Sequence, residues 1–274
     1  MGNRAKLEKE AMKMLKETSR TFFIPISMLG KTLKKTVGSA YLCMRAIDEI
    51  EDHEELDLET KASLLRQTSD LLRKDSFDNE QYLQLIEPYE HQLPEVSVRL
   101  ADWLDVCPTD IVSEVKESTA TMAVGMADWT TKNWDIQTKE DLDDYTYYVA
   151  GLVGVMLSDI WKWHADIDTD KDLAIGYGRG LQAVNILRNE DEDLDERGVS
   201  FMPEGWTRDD MFAYAEDNLR AADEYMKDIT NRRINLFCKI PLALAKKTLE
   251  AMQSGKEKMS RVEVEEVVDE ITKE

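Results

Sequence analysis

Two clusters of oxygen-bearing side chains have a spacing that could do chemistry. In the first, Tyr41-Leu-Cys-Met-Arg45-Ala-Ile-Asp48-Glu49-Ile-Glu51-Asp52-His53, Asp48 and Asp52 lie four residues apart. On a helix that sets both carboxylates on one face, one turn from each other. Such a pair can share hard cations such as Mg²⁺, which take carboxylate, water and phosphate oxygens. Like charges at this spacing destabilise a bare helix, so a metal or a cationic side chain is wanted beside them. Arg45, three residues before Asp48, either pairs with it or grips a phosphate through two parallel bonds. The bland alternative is a solvated acidic helix end.

The second cluster is Gln182-Ala-Val-Asn185-Ile-Leu-Arg188-Asn189-Glu190-Asp191-Glu192-Asp193. From Gln182, the residues Asn185, Asn189 and Asp193 fall at i+3, i+7 and i+11, which is one helical stripe, with Arg188 on its border. Ala183, Val184, Ile186 and Leu187 supply apolar surface between them. A stripe of Gln, Asn, Asn and Asp turned inward is costly unless it lines a space that holds ions or a polar ligand. Turned outward, it is an ordinary surface face.

Helices must carry both clusters. The chain has 274 residues with only 12 Gly and 6 Pro, little punctuation for a β-rich fold. Apolar residues recur at helical spacing nearly throughout. Residues 32–51 read as a helix burying Val37, Tyr41, Met44, Ile47 and Ile50, and 56–74 as another with Glu59 and Lys61 towards solvent. Further helices are expected at 7–23, 109–134, 138–163, 207–228 and 234–253, with one more through the second cluster, ending near Gly198. Thr138 and Asp141 have capping-box spacing. No repeat or low-complexity linker interrupts the chain, so one all-α domain over 1–274 is expected. Its charged tail, 255–274, reads as a final helix or a frayed end.

Net charge is −21, from 35 Lys and Arg against 56 Asp and Glu. That argues against nucleic acid and anionic lipid as partners through bulk electrostatics, and it demands local cations for any anionic substrate. The three cysteines, Cys43, Cys107 and Cys238, lack metal-ligand spacing, and the N-terminus has no apolar signal region. Both fit a reducing cytoplasm. The longest apolar run, Tyr148 to Leu157, is about half of the ~20 residues a spanning helix needs, so no membrane span is expected. Gly176-Tyr-Gly178-Arg-Gly180 has the look of a dinucleotide loop, but no strand precedes it, and close helix packing is the better reading. His164 reads as a helix-end side chain rather than a base, and the tryptophans and methionines read mostly as core.

Thr18-Ser-Arg-Thr-Phe22, then YLCMRAIDEIED, YYVAGLVGVMLS and GLQAVNILRNEDED, resemble the squalene and phytoene synthase family in order and separation, and Phe237-Cys-Lys-Ile-Pro241 resembles its squalene synthase branch. The likeness covers roughly residues 15–255. It implies an all-α isoprenoid synthase fold, a helical bundle whose two acidic motifs face each other across a central cavity and hold a diphosphate through Mg²⁺. It implies metal ligation by Asp48, Asp52, Asn189 and Asp193, and substrate binding by Ser19, Arg20, Phe22, Tyr41, Arg45 and Gln182. Tyr145, Arg188 and Asn185 are the catalytic candidates, Tyr145 matching a tyrosine implicated in proton transfer or cation stabilisation.

Two positions depart from the family pattern. The second motif usually opens with Asp where this chain has Asn189, an oxygen donor without charge, and Glu192 three residues on is a partial substitute. The basic residue expected after Gly198 is replaced by Val199. The implied reaction is head-to-head condensation of two farnesyl diphosphates, through presqualene diphosphate, to a C30 hydrocarbon. The alternatives are a farnesyl diphosphate phosphatase releasing farnesol, and a catalytically silent isoprenoid-binding protein. NADPH is the reductant the full reaction consumes, although no motif for it is present. Eukaryotic relatives carry a C-terminal membrane anchor that this chain lacks, which reads as a soluble relative, delivering apolar product peripherally, or as a shortened chain.

Overall fold

The computed structural model describes residues 2–256 and 259–273, apart from the side chains at 3, 20, 197 and 261. The described residues form helices joined by short turns, with no strand. The chain groups into two compact units, Met1–Asn133 and Trp134–Glu274.

The first unit contains α1 (Gly2–Thr18), α2 (Arg20–Met28), α3 (Lys31–Glu51), α4 (Leu58–Leu72), α5 (Asn79–Ile86), α6 (Glu95–Val98), α7 (Leu100–Val106) and α8 (Val112–Thr131). The helical run expected at 7–23 breaks at Ser19, which turns to extended backbone and accepts a hydrogen bond from the Phe22 N–H at 3.1 Å. A serine here satisfies an orphan donor of the new helix. α3 is the centre of the unit: thirteen of its twenty-one residues are buried, and α1, α4, α6, α7 and α8 pack around it. Two hydrogen bonds tie it to neighbouring helices. Ser39 donates to the Trp103 carbonyl at 2.7 Å, and Ser97 donates to the Ala46 carbonyl at 2.7 Å.

Two expectations are corrected in this unit. Tyr41 is half-buried rather than core, because it sits at the edge of the buried face, in line with Arg45 and Asp48. Lys61 is buried, not solvated, while Glu59 is exposed. Lys61 shares a face with Leu64, Leu65 and Thr68, and a lysine's aliphatic stem can cover such a face.

The second unit contains α9 (Lys139–Thr146), α10 (Leu152–Ala165), α11 (Lys171–Glu192), α12 (Arg208–Met226), α13 (Arg232–Gln253) and α14 (Arg261–Lys273). The Thr138–Asp141 capping box forms, and a second, Thr207–Asp210, starts α12. The single helix expected at 138–163 is continuous but contains a π-helical turn, Tyr147–Gly151, between α9 and α10. A second π turn, Asp193–Arg197, extends α11 until Gly198 ends it in the left-handed region, φ +64°. The charged tail forms α14, which buries Val267, Val268 and Ile271 and packs on α13.

The three glycines of α11 are packing residues. Gly176 and Gly180 share the face towards α12, where an added Cβ would lie 2.6 Å from Ala221 Cβ and 2.8 Å from Leu219 Cδ2. Gly178 faces the opposite way, against the backbone of Ala150 and Gly151. α11 is therefore gripped from both sides at contacts only glycine permits. His164 is exposed in the last turn of α10 with its ring 5.7 Å from Trp163, in keeping with a helix-end role.

Candidate functional site

α3 carries one half of the predicted ligand set as a stripe. Tyr41, Arg45 and Asp48 recur at the i+4 and i+7 spacing of a single face, all half-buried, and Asp52 follows at the exposed C-terminal end. Arg45 Nη1 donates to Asp48 Oδ2 at 2.6 Å, and its Nη2 lies 2.5 Å from Glu49 Oε1. Burial opposes the charge on Arg45, but Asp48 and Glu49 outweigh it and hold the guanidinium above its ordinary pKa. Its Nε is buried without a partner. Sequence reasoning missed Glu49, although its i,i+4 relation to Arg45 was readable. One arginine against Asp48, Glu49 and Asp52 leaves the stripe net negative, so it still attracts a cation.

The α1–α2 junction is fixed against this stripe. The Tyr41 hydroxyl donates to the Thr18 carbonyl at 3.4 Å, and the Tyr41 and Phe22 rings lie 6.0 Å apart. Burial raises the Tyr41 phenol above its usual value, with Ser19 and Arg45 opposing the shift. Ser19, Phe22, Tyr41, Arg45 and Asp48 are thus brought together within the first unit. Arg20 begins α2 beside them, but its side chain lies outside the described set. Beyond the stripe, His53 Nδ1 accepts from the Glu55 N–H at 3.2 Å. Its Nε2 therefore carries the proton and donates to the Gln92 carbonyl at 3.0 Å, which locks the turn after α3.

α11 carries the other set. Gln182, Asn185, Asn189 and Asp193 are all half-buried, alternating with the buried Ala183, Val184, Ile186 and Leu187. Asp193 opens the π turn, a widened geometry that often marks functional positions. Arg188 is exposed, and its Nε donates to Asn189 Oδ1 at 3.2 Å. The amide oxygen that would serve a metal is thus engaged by a cation. Glu192 is exposed. Glu190 is turned away from the stripe and paired with Arg208, which also reaches the Leu187 carbonyl at 3.3 Å. Val199 is buried.

Tyr145 lies on α9, buried, with its ring stacked on Phe201 at 5.0 Å. A polar network that the sequence did not announce ties α9 to the stripe. Arg179, three residues before Gln182, donates through Nη2 to the Asp143 carbonyl at 2.7 Å. The Asp143 carboxylate accepts from the Tyr214 hydroxyl at 2.7 Å and pairs with Lys139 at 2.7 Å. Burial, then the Asp143 charge, pushes the Tyr214 phenol well up, so it stays a donor at neutral pH. Arg179 and Tyr214 are tens of residues from Asp143 in sequence, which no local pattern reveals.

The donor chemistry can be tested against magnesium. Among the described residues no group of three or more His, Cys, Asp or Glu side chains gathers as a metal cage. Magnesium rarely uses one. It keeps several waters and is held by one or two carboxylates plus substrate phosphates. Asp48 and Asp52, all-oxygen and one turn apart, fit that donor set, and a carboxylate bound to Arg45 retains free lone pairs.

The family model described as squalene/phytoene synthase matches residues 15–211. Squalene synthase of Dictyostelium discoideum is 28% identical over 272 residues, covering 87% of this chain and 62% of its own length. Squalene synthase 1 of Panax ginseng is 30% identical over 272 residues, covering 86% and 61%. The chain spans a little over three fifths of these relatives. Among solved structures, a ligand complex of TcSQS superposes with a TM-score of 0.79 at 22% identity, over 96% of this chain and 85% of that one. A dehydrosqualene synthase bound to a ligand gives 0.60 at 21% identity, over 99% and 97%. Both share the all-α fold.

Proposed function

The chain belongs to the squalene/phytoene synthase family, and from that premise we propose that it ionises farnesyl diphosphate with Mg²⁺ and joins two such molecules head to head. The product is presqualene diphosphate and, with a hydride donor such as NADPH, a C30 hydrocarbon. The observation that carries this reading is the α3 stripe, where Arg45, Asp48 and Asp52 share one helix face beside Tyr41. Bound magnesium would be held by Asp48 and Asp52, with Asn189 and Asp193 as further oxygen donors, and would draw charge from the departing diphosphate. Arg45 and Arg188 offer planar N–H pairs to the phosphate oxygens. Gln182 and Asn185 present amides that can hold the diphosphate without adding charge. Tyr145, buried against Phe201, supplies an aromatic face that tolerates a carbocation. Val149, Val153 and Leu157 recur at i+4 along the π turn and α10, half-buried, and offer apolar surface to a prenyl chain.

One observation favours a second reading. Asn189 brings no charge, and its oxygen already accepts from Arg188. A weakened second motif favours capture of the allylic cation by water, which makes farnesol. The test is to incubate purified protein with farnesyl diphosphate and Mg²⁺, with and without NADPH, and to separate the extract by gas chromatography. A C30 hydrocarbon that needs NADPH supports condensation. Farnesol alone supports the hydrolase. Tight binding of a farnesyl thio-diphosphate with no turnover leaves only the silent binding protein and refutes both. Among the described residues no helix is long and apolar enough to cross a membrane.

A further inference from the structure

The distribution of charge along the chain is lopsided. Through residue 35 there are nine Lys and Arg against three Glu, a net of +6 in a chain of −21, which leaves −27 to the remainder. Eight of those nine cations lie on α1 and in the opening turns of α3. Lys6, Lys9, Lys13 and Lys16 stand at i, i+3, i+7 and i+10 of α1, one helical face, and all four are exposed. The opposite face of α1, with Ala11, Met14 and Leu15, is buried in the unit, so the helix is held firmly and its lysines point outward. Beside them the first turns of α3 add Lys31, Lys34 and Lys35 around a cavity of about 110 Å³ that Glu8 and Met12 of α1 also line.

Local neutralisation is slight. Lys35 is paired with Glu8, while Lys6 and Lys13 make loose 3.6 Å pairs with Glu10 and Glu17. Lys9, Lys16, Lys31 and Lys34 have no ion pair among the described residues, and Lys16 rests over the Phe23 ring at 5.9 Å. Three lysines in the opening turns of α3 also oppose its own dipole, so they weaken the helix they start. Such a surface costs stability in isolation and is satisfied by an extended anionic partner.

We propose that this α1–α3 lysine face docks the protein on an anionic lipid surface. The net −21 does not prevent it. At physiological salt, charges more than ~8 Å away are largely screened. Arg4 and Lys6 line one cleft with Asp75, Asp102 and Asp105, so the positive face offered to a headgroup layer is that of Lys9, Lys13, Lys16, Lys31 and Lys34. Because the apolar side of α1 is committed to the core, contact is electrostatic and peripheral, without insertion. An apolar product made by an enzyme with no spanning helix among its described residues would then be released next to the bilayer that dissolves it.

Vesicle co-sedimentation of the full chain tests the proposal. Binding is expected to vesicles containing phosphatidylglycerol, not to phosphatidylcholine alone, and to be lost near 1 M salt, where the screening length falls to ~3 Å. Each juxtamembrane lysine contributes about fivefold. Lys9→Gln, Lys16→Gln and Lys31→Gln together should therefore lower partitioning on the order of 100-fold, with circular dichroism unchanged. Equal binding to both vesicle types, indifference to salt, or an unaffected triple variant overturns the proposal. So does the absence of vesicle binding with capture by an acidic protein instead. The salt and lipid comparisons use the unaltered chain, so a misfolded variant cannot rescue or sink the idea. None of these readouts depends on turnover.

Discussion

Replacing Gly178 with alanine tests whether α11 is positioned by backbone contact. A Cβ built there lies 2.6 Å from the Ala150 carbonyl carbon and 2.9 Å from Gly151 Cα, with the Ala150 oxygen nearer still. Carbon atoms settle at about 3.5–4.0 Å, so α11 must retreat by roughly 1 Å from the π turn. All three neighbours are backbone, and no side chain can rotate aside. Overpacking of this kind costs about 1–3 kcal/mol. Alanine returns about 1 kcal/mol of helix propensity, so the net loss is about 0–2 kcal/mol. For a chain of this size that lowers Tm by up to roughly 8 °C. Gly38 in α3 is the matched control, since its added Cβ would meet nothing nearer than Ile26 Cγ2 at 3.9 Å. Gly38→Ala should stabilise by about 1 kcal/mol through propensity alone. Function should register the displacement too. Asn185 lies two turns beyond Gly178, and a 1 Å error in a reacting geometry costs about 10²-fold in rate. Urea titration followed by far-UV circular dichroism reads the stabilities. A Gly178→Ala protein that gains as much stability as Gly38→Ala would refute the close-contact reasoning.

Asn189→Asp restores a carboxylate beside Arg188 and should shift product from farnesol towards C30 in the extraction assay; no shift removes the amide as the cause. Asp48→Asn and Asp52→Asn should each lower turnover by about 10²-fold or more while leaving the Gly38→Ala gain in stability intact, because each sits at the outer edge of α3. All three cysteines are free and buried, with burial pushing the Cys107 thiol up to about 12 and the other two higher. A thiol-specific disulfide reagent should find no fast-reacting group in the native protein and three in denaturant. In the Ser260 cap of α14, backbone and side-chain hydrogen bonds from Ser260 lower Glu263 from 4.5 to about 2. A depressed carboxyl stabilises above its unfolded value and loses that contribution as pH falls from about 4.5 to 2. Amide exchange in α14 should therefore quicken over that interval, and Glu263→Gln should abolish the dependence.

The periodicity of apolar residues is enough to place the long helices, and the Thr138–Asp141 spacing to start α9, because both signals are local; the short α5, α6 and α7 carry too few turns to show a period and are not legible. The misreadings have equally local causes. Its charge alone points Lys61 to solvent, while its register on the Leu64–Leu65 face of α4 buries it. The extended Ser19 was hidden inside a run that is apolar on both sides. In the candidate site, Arg45, Asp48 and Asp52 were legible because one helix carries them at fixed spacing. Which acids Arg45 would choose depended on rotamers, and the Arg179–Asp143–Tyr214 network depended on how three helices pack. The packing role of Gly176, Gly178 and Gly180 was readable as an exclusion, since a phosphate loop needs a strand before it.

The π turn at Tyr147–Gly151 also acts as a phase setting. Each residue added to or removed from a helix rotates everything downstream by about 100°. The run from Lys139 to Ala165 therefore follows two angular conventions, one for α9 and one for α10, joined where the turn is widened. Gly154 meets the Ala174 backbone only in the second convention. Deleting a single residue such as Ala150 would leave a more regular helix with better local hydrogen bonding. It would also swing Gly154 away from α11 and drive a larger neighbour into its place. The irregular turn is the cheaper arrangement, since regularity there would cost the crossing that holds α11 and its polar stripe in position.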